Sequence, residues 1–304
     1  MKVLKKIMQV GLAVFFLGLL ATNTVLADTT GGQFVDKDNR KYYIKDDHKA
    51  IYWHKIDGKT YYFDDGEMVV GWQYLEIPGT GYRDDLFDNR PIFEIGLQQK
   101  WYYFDQDGVL QEFVGWQQLE VKDSLTVGKK HGEGWEGPEV LKLAYYYFDQ
   151  DHSLKTGWLY DQSNWYYLAK TGSSGKDYLG GERRAGWIND NSTWYYLDPT
   201  TGIMQTGWQY LGNKWYYLRS SGAMATGWYL DGSTWYYLDA QNGDMKTGWI
   251  YVDNTWYYLR SSGAMVTSWF QVNGKWYYAY SSGALAVNTK VDGYYVNYNG
   301  EWVQ

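Results

Sequence analysis

The sequence predicts an all-β protein, a solenoid or superhelix built from stacked β-hairpin repeats. Two observations support this prediction. A Gly-Trp pair followed by Trp-Tyr-Tyr-Leu recurs in the second half of the 304-residue chain, with Ser-Trp and Trp-Tyr-Tyr-Ala in the last of these units. The first tryptophan of each unit lies at 187, 208, 228, 249 and 269. A constant period of about 20 residues indicates a repeat architecture, because one such unit cannot bury its apolar face alone.

Residues 207–226 illustrate the predicted unit. Residues 208–211 and 215–218 are short aromatic segments that favour β-strands, and Gly212-Asn213 lies between them. The next unit has Asp231-Gly232 at the corresponding place. Glycine, asparagine and aspartate tolerate the positive φ of tight hairpin turns, so we assign both pairs to turns.

Strand alternation sorts the side chains of the return strand. Trp215 and Tyr217 share one face, whereas Tyr216 and Leu218 share the other. An isolated hairpin is marginally stable in water, so the aromatic faces are expected to pack against neighbouring hairpins.

Residues 1–27 are predicted to form a secretory signal peptide. Lys2, Lys5 and Lys6 precede a mostly apolar run over 7–20, and Val25-Leu26-Ala27 is typical of a cleavage site. The apolar run is too short for a transmembrane anchor. Removing this segment removes three lysines and no acidic residue, which changes the formal charge from −7 to −10. We also find no covalent sorting tail at the end of the chain.

The mature chain divides by the regularity of its repeats. Residues 28–156 contain irregular repeats with two long insertions, 76–98 and 120–143, rich in glycine and proline. Residues 157–304 contain the regular repeats, interrupted once by a third insertion at 169–184. The last unit keeps Tyr294-Tyr295 without a preceding tryptophan and is interpreted as a degenerate C-terminal cap.

The composition and motifs argue against catalysis. The chain has no cysteine, its four histidines are scattered, and its carboxylate pairs, such as Asp64-Asp65, fall in predicted turns. We find no metal-ligand spacing, phosphate-binding loop or nucleophile motif, so no enzyme activity, cofactor or metal site is expected. The acidic charge without a basic patch argues against nucleic acid as a partner.

The aromatic pattern does suggest a binding site between consecutive hairpins. Trp208 and Trp215 of one hairpin, with Tyr237 of the next, would form three walls of a box, and Met224 would form its floor. Electron-rich rings and a thioether suit a quaternary ammonium group. Each ring contributes about 0.5–2 kcal/mol, so one box binds at roughly millimolar strength and several boxes gain avidity.

The repeated phrase, ending in Ser-Gly-Ala-Met as at 221–224, resembles the choline-binding repeat of streptococcal choline-binding proteins, most strongly over 157–286. The resemblance implies a superhelix that binds the choline of teichoic and lipoteichoic acids at the cell wall. It implies four boxes: Trp187, Trp194 and Tyr217; Trp208, Trp215, Tyr237 and Met224; Trp228, Trp235, Tyr258 and Met245; Trp249, Trp256, Tyr278 and Met265. A further box of Trp158, Trp165 and Tyr196 is expected to be interrupted by the third insertion.

The chain is most similar to repeat-only members of that family, which lack a hydrolase domain. Its departures lie in 41–147, where Tyr145 replaces the expected tryptophan and long loops fill the grooves. The resemblance therefore implies that the irregular half acts as an adhesin or as a modulator of wall hydrolases. A host protein or a bacterial wall hydrolase would be its partner.

Two alternatives remain open at this point. The Tyr-Tyr-Phe-Asp units, as at 61–64, are similar to glucan-binding repeats, and binding to dextran would favour that reading. An active site within the insertions is the second alternative, and zymography on choline-containing walls would detect it.

Overall fold

The computed structural model describes residues 28–78, 98–122, 141–170 and 180–303. The predicted signal peptide and most of the three insertions lie outside these ranges. Every regular element within them is a β-strand, which confirms the all-β prediction. The chain divides into two compact units: the first comprises the residues up to Thr156 with Lys170–Glu182, and the second comprises Gly157–Ala169 with Arg183–Gln304.

The second unit is a series of antiparallel hairpins. Its strands are β11 Gly157–Asp161, β12 Asn164–Leu168, β13 Gly186–Asp190, β14 Thr193–Leu197, β15 Gly207–Leu211, β16 Lys214–Leu218, β17 Gly227–Asp231, β18 Thr234–Leu238, β19 Gly248–Val252, β20 Thr255–Leu259, β21 Ser268–Val272, β22 Lys275–Ala279, β23 Thr289–Val291, β24 Tyr294–Val296 and β25 Trp302–Val303. Each odd-numbered strand from β11 to β21 pairs with the next strand to form a two-stranded sheet, and β23, β24 and β25 form a three-stranded sheet.

The linker after each hairpin ties that hairpin to the one before it. Met224 follows β16 and forms an isolated bridge with Leu218 of its own hairpin. Its backbone N–H donates to the carbonyl of Trp194 in the preceding hairpin, at 2.8 Å. Met245 and Met265 make the same bond to Trp215 and Trp235. The backbone therefore determines which linker lies beside which tryptophan.

Tight packing of successive linkers explains a recurrent glycine. Gly222 has φ +81°, and a Cβ there would lie 2.2 Å from the sulfur of Met204 in the preceding linker. Gly263 and Gly283 meet the sulfurs of Met245 and Met265 at the same distance. Any other residue would push the methionine aside and strain the backbone.

Strand register places the side chains as the alternation predicted. In the β15–β16 hairpin, Trp208 is opposite Tyr217 and Tyr210 is opposite Trp215, so these four rings share one face. Leu218 points to the other face and is completely buried. Each regular hairpin therefore has a tryptophan face and a leucine face.

One predicted turn is displaced by a residue. The turn of the β17–β18 hairpin consists of Gly232-Ser233, not Asp231-Gly232, because Asp231 is the last residue of β17 and pairs with Thr234.

The first unit combines hairpins with small three-stranded sheets. Its strands are β1 Gln33–Lys37, β2 Arg40–Lys45, β3 His48–Lys49, β4 Tyr52–Ile56, β5 Lys59–Asp64, β6 Glu67–Met68, β7 Gly71–Glu76, β8 Gln99–Phe104, β9 Gly115–Lys122 and β10 Leu141–Phe148. The first six strands form two three-stranded sheets, followed by the β7–β8 and β9–β10 hairpins. Trp53 and Trp72 are completely buried in separate aromatic clusters, so the first unit has a conventional core.

Candidate functional site

A recurring notch lies between consecutive hairpins of the second unit. Its walls are the two tryptophans of one hairpin, the first tyrosine of the next hairpin's return strand, and the linker residue after that strand. The described residues of this unit contain six: notch 1, Trp158, Trp165, Tyr195 and Met204; notch 2, Trp187, Trp194, Tyr216 and Met224; notch 3, Trp208, Trp215, Tyr236 and Met245; notch 4, Trp228, Trp235, Tyr257 and Met265; notch 5, Trp249, Trp256, Tyr277 and Leu285; notch 6, Trp269, Trp276, Tyr294 and Trp302.

The ring geometry of notches 1 to 5 is nearly constant. The two tryptophan rings have centroids 6.3–6.4 Å apart and are close to perpendicular, at 83–87°. The first tryptophan lies 4.7–5.0 Å from the tyrosine of the next hairpin. Perpendicular rings present two faces to one point in space, and those faces attract a cation.

The notches are open to solvent. The second tryptophan of each is 41–46% exposed, although tryptophan is usually well buried in globular proteins. Notch 5 forms a cavity of about 510 Å³ that Val287, Tyr298, Asn299 and Glu301 extend. Notch 6 forms a cavity of about 360 Å³ lined by its four rings. Both volumes suit a small ligand.

Acidic side chains adjoin half of the notches. The first tryptophans of notches 1, 3 and 6 donate their indole N–H to a carboxylate of the next hairpin, at 3.0, 2.9 and 2.9 Å respectively; the acceptors are Asp190, Asp231 and Asp292. Asp190 and Asp231 end the first strand of their hairpins, whereas Asp292 is the first turn residue of the shorter β23–β24 hairpin. Beside notches 2, 4 and 5 the first strand ends in Leu211, Val252 and Val272. The notches therefore fall into an acidic group and a neutral group.

Notch 5 has a different charged neighbour. Glu301 lines it and accepts a hydrogen bond from the Lys275 ammonium at 2.6 Å. That hydrogen bond lowers the pKa of the Glu301 carboxyl and raises the pKa of Lys275. Both groups are therefore charged at neutral pH and largely compensate each other.

The tyrosine grouping that the resemblance implied is corrected by the structure. It combined each tryptophan pair with the second tyrosine of the next hairpin: Tyr217, Tyr237, Tyr258 and Tyr278. Each of these tyrosines instead packs on the first tryptophan of its own hairpin, at 5.0–5.2 Å. The tyrosine before it faces the preceding hairpin, because successive side chains point to opposite faces of a strand. Choline contact by either set stays a prediction.

The methionines are reassigned in the same way. Met224, Met245 and Met265 lie beside the preceding hairpin's second tryptophan, so they belong to notches 2, 3 and 4. The box at Trp158 and Trp165 was expected to be interrupted by the third insertion, of which residues 171–179 lie outside the described ranges. Trp158 packs 4.7 Å from Tyr195, and Tyr195 rather than Tyr196 is its neighbour.

Notch 6 was missed because the last unit looked degenerate. A signal for it does exist, since Trp302 follows Tyr294 by eight residues, as Met224 follows Tyr216. Trp302 pairs with Val296 as Met224 does with Leu218. A tryptophan therefore occupies the methionine position.

The first unit contains a buried counterpart of the notches. Trp72 and Trp101 of the β7–β8 hairpin meet Tyr146 of the next hairpin, and the N–H of Leu154 donates to the carbonyl of Trp101. Trp72 is completely buried and Trp101 is 3% exposed. We call these four residues the closed notch, because neither tryptophan presents an open face.

Two further properties concern the described residues alone. They contain no cluster of histidine, aspartate and glutamate that could hold a metal ion. In these ranges, no helix is long and apolar enough to span a bilayer.

Comparison with known proteins agrees with this geometry. A family model for the choline-binding repeat matches residues 205–247 and 246–289, and a cell wall binding repeat model matches 53–67, 98–110, 156–174 and 185–204. The chain belongs to the choline-binding repeat family. A comparison with curated protein sequences found no match.

Solved structures of relatives cover nearly the whole chain. CbpJ from Streptococcus pneumoniae TIGR4 is 64% identical over 90% of this chain and 100% of its own, with a TM-score of 0.71. Choline binding protein F from Streptococcus pneumoniae is 62% identical over 91% of this chain and 100% of its own, with a TM-score of 0.69. The same protein F has been crystallised in the presence of a peptidoglycan analogue, a tetrasaccharide-pentapeptide.

Proposed function

We propose that this protein attaches noncovalently to the bacterial cell wall by binding choline groups of teichoic and lipoteichoic acids in notches 1 to 6. The observation that carries the proposal is the recurrence, in notches 1 to 5, of two perpendicular tryptophans facing a tyrosine, with the second tryptophan nearly half exposed. A choline headgroup combines a permanent positive charge with three methyl groups. Ring faces attract the charge, while their apolar surface desolvates the methyl groups.

The number of notches compensates for weak individual binding. A ring at an exposed site contributes about 0.5–1 kcal/mol, so one notch holds choline at roughly millimolar strength. A teichoic acid presents many choline groups to one protein molecule. Once the first notch is occupied, the others meet a high effective concentration of ligand, and the overall affinity rises by orders of magnitude.

The acidic charge of the chain supports a cationic ligand. The sequence carries a formal charge of −7, and three notches adjoin a carboxylate hydrogen-bonded to the tryptophan that forms a wall. A negative surface favours a cation at long range. The same charge would repel free polyphosphate chains that lack choline, so choline provides the specificity.

We further propose a different role for residues 28–156, as an adhesin or a modulator of wall hydrolases and not as an enzyme. The burial of the closed notch supports this division, since Trp72 and Trp101 are used for packing. A host protein or a bacterial wall hydrolase would bind this region. In the same proposal, residues 1–27 direct secretion and the protein remains at the bacterial surface.

Retention on a choline-type resin tests the attachment. The wild-type chain should bind and should elute with free choline. The variant combining Trp208→Ala, Trp228→Ala and Trp249→Ala should elute at a several-fold lower choline concentration, because three of its six notches lose a wall.

A matched control removes three exposed rings outside the notches: Tyr74→Ala, Tyr280→Ala and Tyr295→Ala. This variant should elute like the wild type. Failure of the wild-type chain to bind, or equal retention of the tryptophan variant when it is folded, would refute the proposal.

The glucan alternative receives no support from the units that suggested it. Stacking on a sugar needs an exposed ring face, whereas Tyr61, Tyr62 and Phe63 are at most 7% exposed. Tyr62 also donates its hydroxyl to Glu76 at 3.2 Å, inside the core. A pull-down on dextran should therefore recover no protein.

A further inference from the structure

We infer that notch 6 is a four-ring cage for a quaternary ammonium group and that it fills before the other notches. The inference rests on the proposed function, because it ranks sites that take the same class of ligand. Tyr294 and Trp302 lie beyond residue 289, where the match to the choline-binding repeat model ends. The family match therefore does not identify notch 6 as a binding site. We identify it from the arrangement of its four rings around one cavity.

The rings of notch 6 enclose a common space. Tyr294 lies 5.9 Å from Trp269 on one side and 5.9 Å from Trp302 on the other, each time at 86°. Trp276 completes the lining of the cavity of about 360 Å³. In the other notches a methionine or leucine occupies the place of Trp302. Notch 6 therefore offers one more ring face to a cation, in the arrangement of an aromatic cage.

Charge strengthens the same site. Asp292 accepts the indole N–H of Trp269 at 2.9 Å, and it forms no ion pair within the described ranges. A carboxylate bonded to the indole N–H increases the electron density of the ring and attracts a nearby cation directly. Neighbouring notch 5 lacks this feature, because the first strand of the hairpin beside it ends in Val272 and the carboxylate of Glu301 is paired with Lys275.

Notch 4 provides the internal reference, since it combines Met265 with the neutral Val252. An additional ring at an exposed site strengthens cation binding about two- to fivefold. With the carboxylate added, notch 6 should be half-saturated at about a tenfold lower choline concentration than notch 4.

The test is a choline titration of the full chain with ¹⁵N-labelled tryptophan, followed by the indole N–H resonances. Trp269 and Trp276 report on notch 6, and Trp228 and Trp235 report on notch 4. The wild-type resonances of notch 6 should move first. Trp302→Met should raise the notch 6 midpoint about two- to fivefold and leave notch 4 unchanged. The variant should then resemble notch 3, which combines Met245 with a carboxylate, Asp231.

A second variant and a second probe isolate the charge. Asp292→Asn keeps an acceptor for the indole N–H and should raise the notch 6 midpoint about two- to threefold. The neutral isostere 3,3-dimethyl-1-butanol has the same methyl groups without the charge. The ratio of its affinity to the affinity of choline should be lowest at notch 6 in the wild type. Asp292→Asn should bring this ratio at notch 6 closer to the ratio at the other notches.

The outcomes separate the two proposals. If no notch responds to choline, the proposed function fails and this inference fails with it. If the notches respond but notch 6 fills together with or after notch 4, only this inference is overturned. An unchanged notch 6 midpoint in Trp302→Met, with the other indole resonances in place as proof of folding, would also overturn it.

Discussion

The closed notch of the first unit and notch 5 of the second share one topology but differ in accessibility. In each, a leucine N–H donates to the carbonyl of the second tryptophan: Leu154 to Trp101 at 2.8 Å, and Leu285 to Trp256 at 2.9 Å. Trp101 is nevertheless 3% exposed, whereas Trp256 is 46% exposed. The same hairpin unit therefore provides a core in one region and a binding surface in the other.

One residue position accounts for much of this difference. Strands β8 and β10 of the first unit end in a phenylalanine, and Phe148 stacks on Trp72 with centroids 5.9 Å apart. Phe113 packs against Phe148 in turn, at 5.2 Å. In the second unit the equivalent position holds leucine, Ala279 in β22 or Val296 in β24. A large ring at this position fills the space that a smaller side chain leaves open for a ligand.

The largest expected effect comes from removing the same tryptophan in both regions. Trp101→Ala should destabilise the first unit by about 3–5 kcal/mol, because it leaves a cavity in a packed core. Trp256→Ala should cost about 1–2 kcal/mol, since half of that side chain is already exposed. Hydrogen exchange of the strand amides in each unit measures both losses separately.

Ligand binding should respond in the opposite way. Trp256→Ala should weaken choline binding at notch 5 about two- to fivefold, whereas Trp101→Ala should leave all six midpoints unchanged. The comparison would fail if the two substitutions destabilised their units equally, or if Trp101→Ala weakened choline binding in a chain whose second unit stays folded.

The next prediction concerns which tyrosine belongs to which notch. Tyr236→Ala should weaken choline binding at notch 3 by about 0.5–1 kcal/mol, because Tyr236 faces Trp208. Tyr237→Ala should leave notch 3 nearly unchanged and affect notch 4, because Tyr237 packs on Trp228. The indole resonances of Trp215 and Trp235 distinguish the two notches, and the reverse pattern would restore the grouping implied by the resemblance.

The hairpins and their faces could be predicted from the sequence, because alternation within a strand follows directly from the backbone. The pairing of faces between hairpins could not. The sequence shows that Trp215 and Tyr217 share a face, but not which face of the next hairpin meets them. That contact depends on the linkers, whose hydrogen bonds reach back to the preceding hairpin. The resemblance therefore grouped the second tyrosine of each return strand with the tryptophans of the preceding hairpin, although that tyrosine packs on the first tryptophan of its own hairpin.

Two further parts of the site lacked a local signal. Asp231 looked like a turn residue, since aspartate followed by glycine favours tight turns. It is instead the last residue of β17, and its contact with Trp208 depends on how its hairpin packs on the preceding one. Trp302 is separated from its partners by a short loop and follows a strand without tryptophan. Predicting the closed notch would have required knowing that Phe148 packs on Trp72 and that Phe113 packs on Phe148, which are contacts between residues far apart in the sequence.

A smaller effect should come from the acidic residues beside notches 1, 3 and 6. Asp231→Asn should weaken choline binding at notch 3 about two- to threefold, because it removes a charge and keeps the hydrogen-bond acceptor. Val252→Asp, its converse, should strengthen notch 4 by a similar factor. Isothermal titration at low and at high salt checks both, since added salt should reduce the difference. Asp253→Asn is the control, and an effect of equal size there would indicate a general charge effect.

The smallest expected effect is an acid sensitivity of the second unit. Hydrogen bonds from the backbone N–H groups of Asn242 and Gln241, together with Lys246, lower the pKa of Asp239 from 3.8 to about 2. A lowered folded pKa means that Asp239 stabilises the fold above pH 3.8 and that this contribution is lost as the pH falls towards 2. Solvent screening limits it to less than about 1 kcal/mol.

Asp239→Asn checks this by removing the charge while keeping the side-chain acceptor. Denaturant unfolding of the second unit should show the variant less stable at pH 7 and equal to the wild type near pH 2. A constant difference between the two proteins over this range would contradict the assignment. The first unit, measured in parallel, should not change.

The most direct test of the central claim is a crystal structure of the chain soaked in saturating choline. The claim is that notches 1 to 6 bind choline, whereas the closed notch is part of the core of the first unit. We predict a trimethylammonium group in each of notches 1 to 6 and none against Trp53, Trp72 or Trp101. Choline bound at the closed notch, or notches 2 to 5 empty at saturation, would contradict the account.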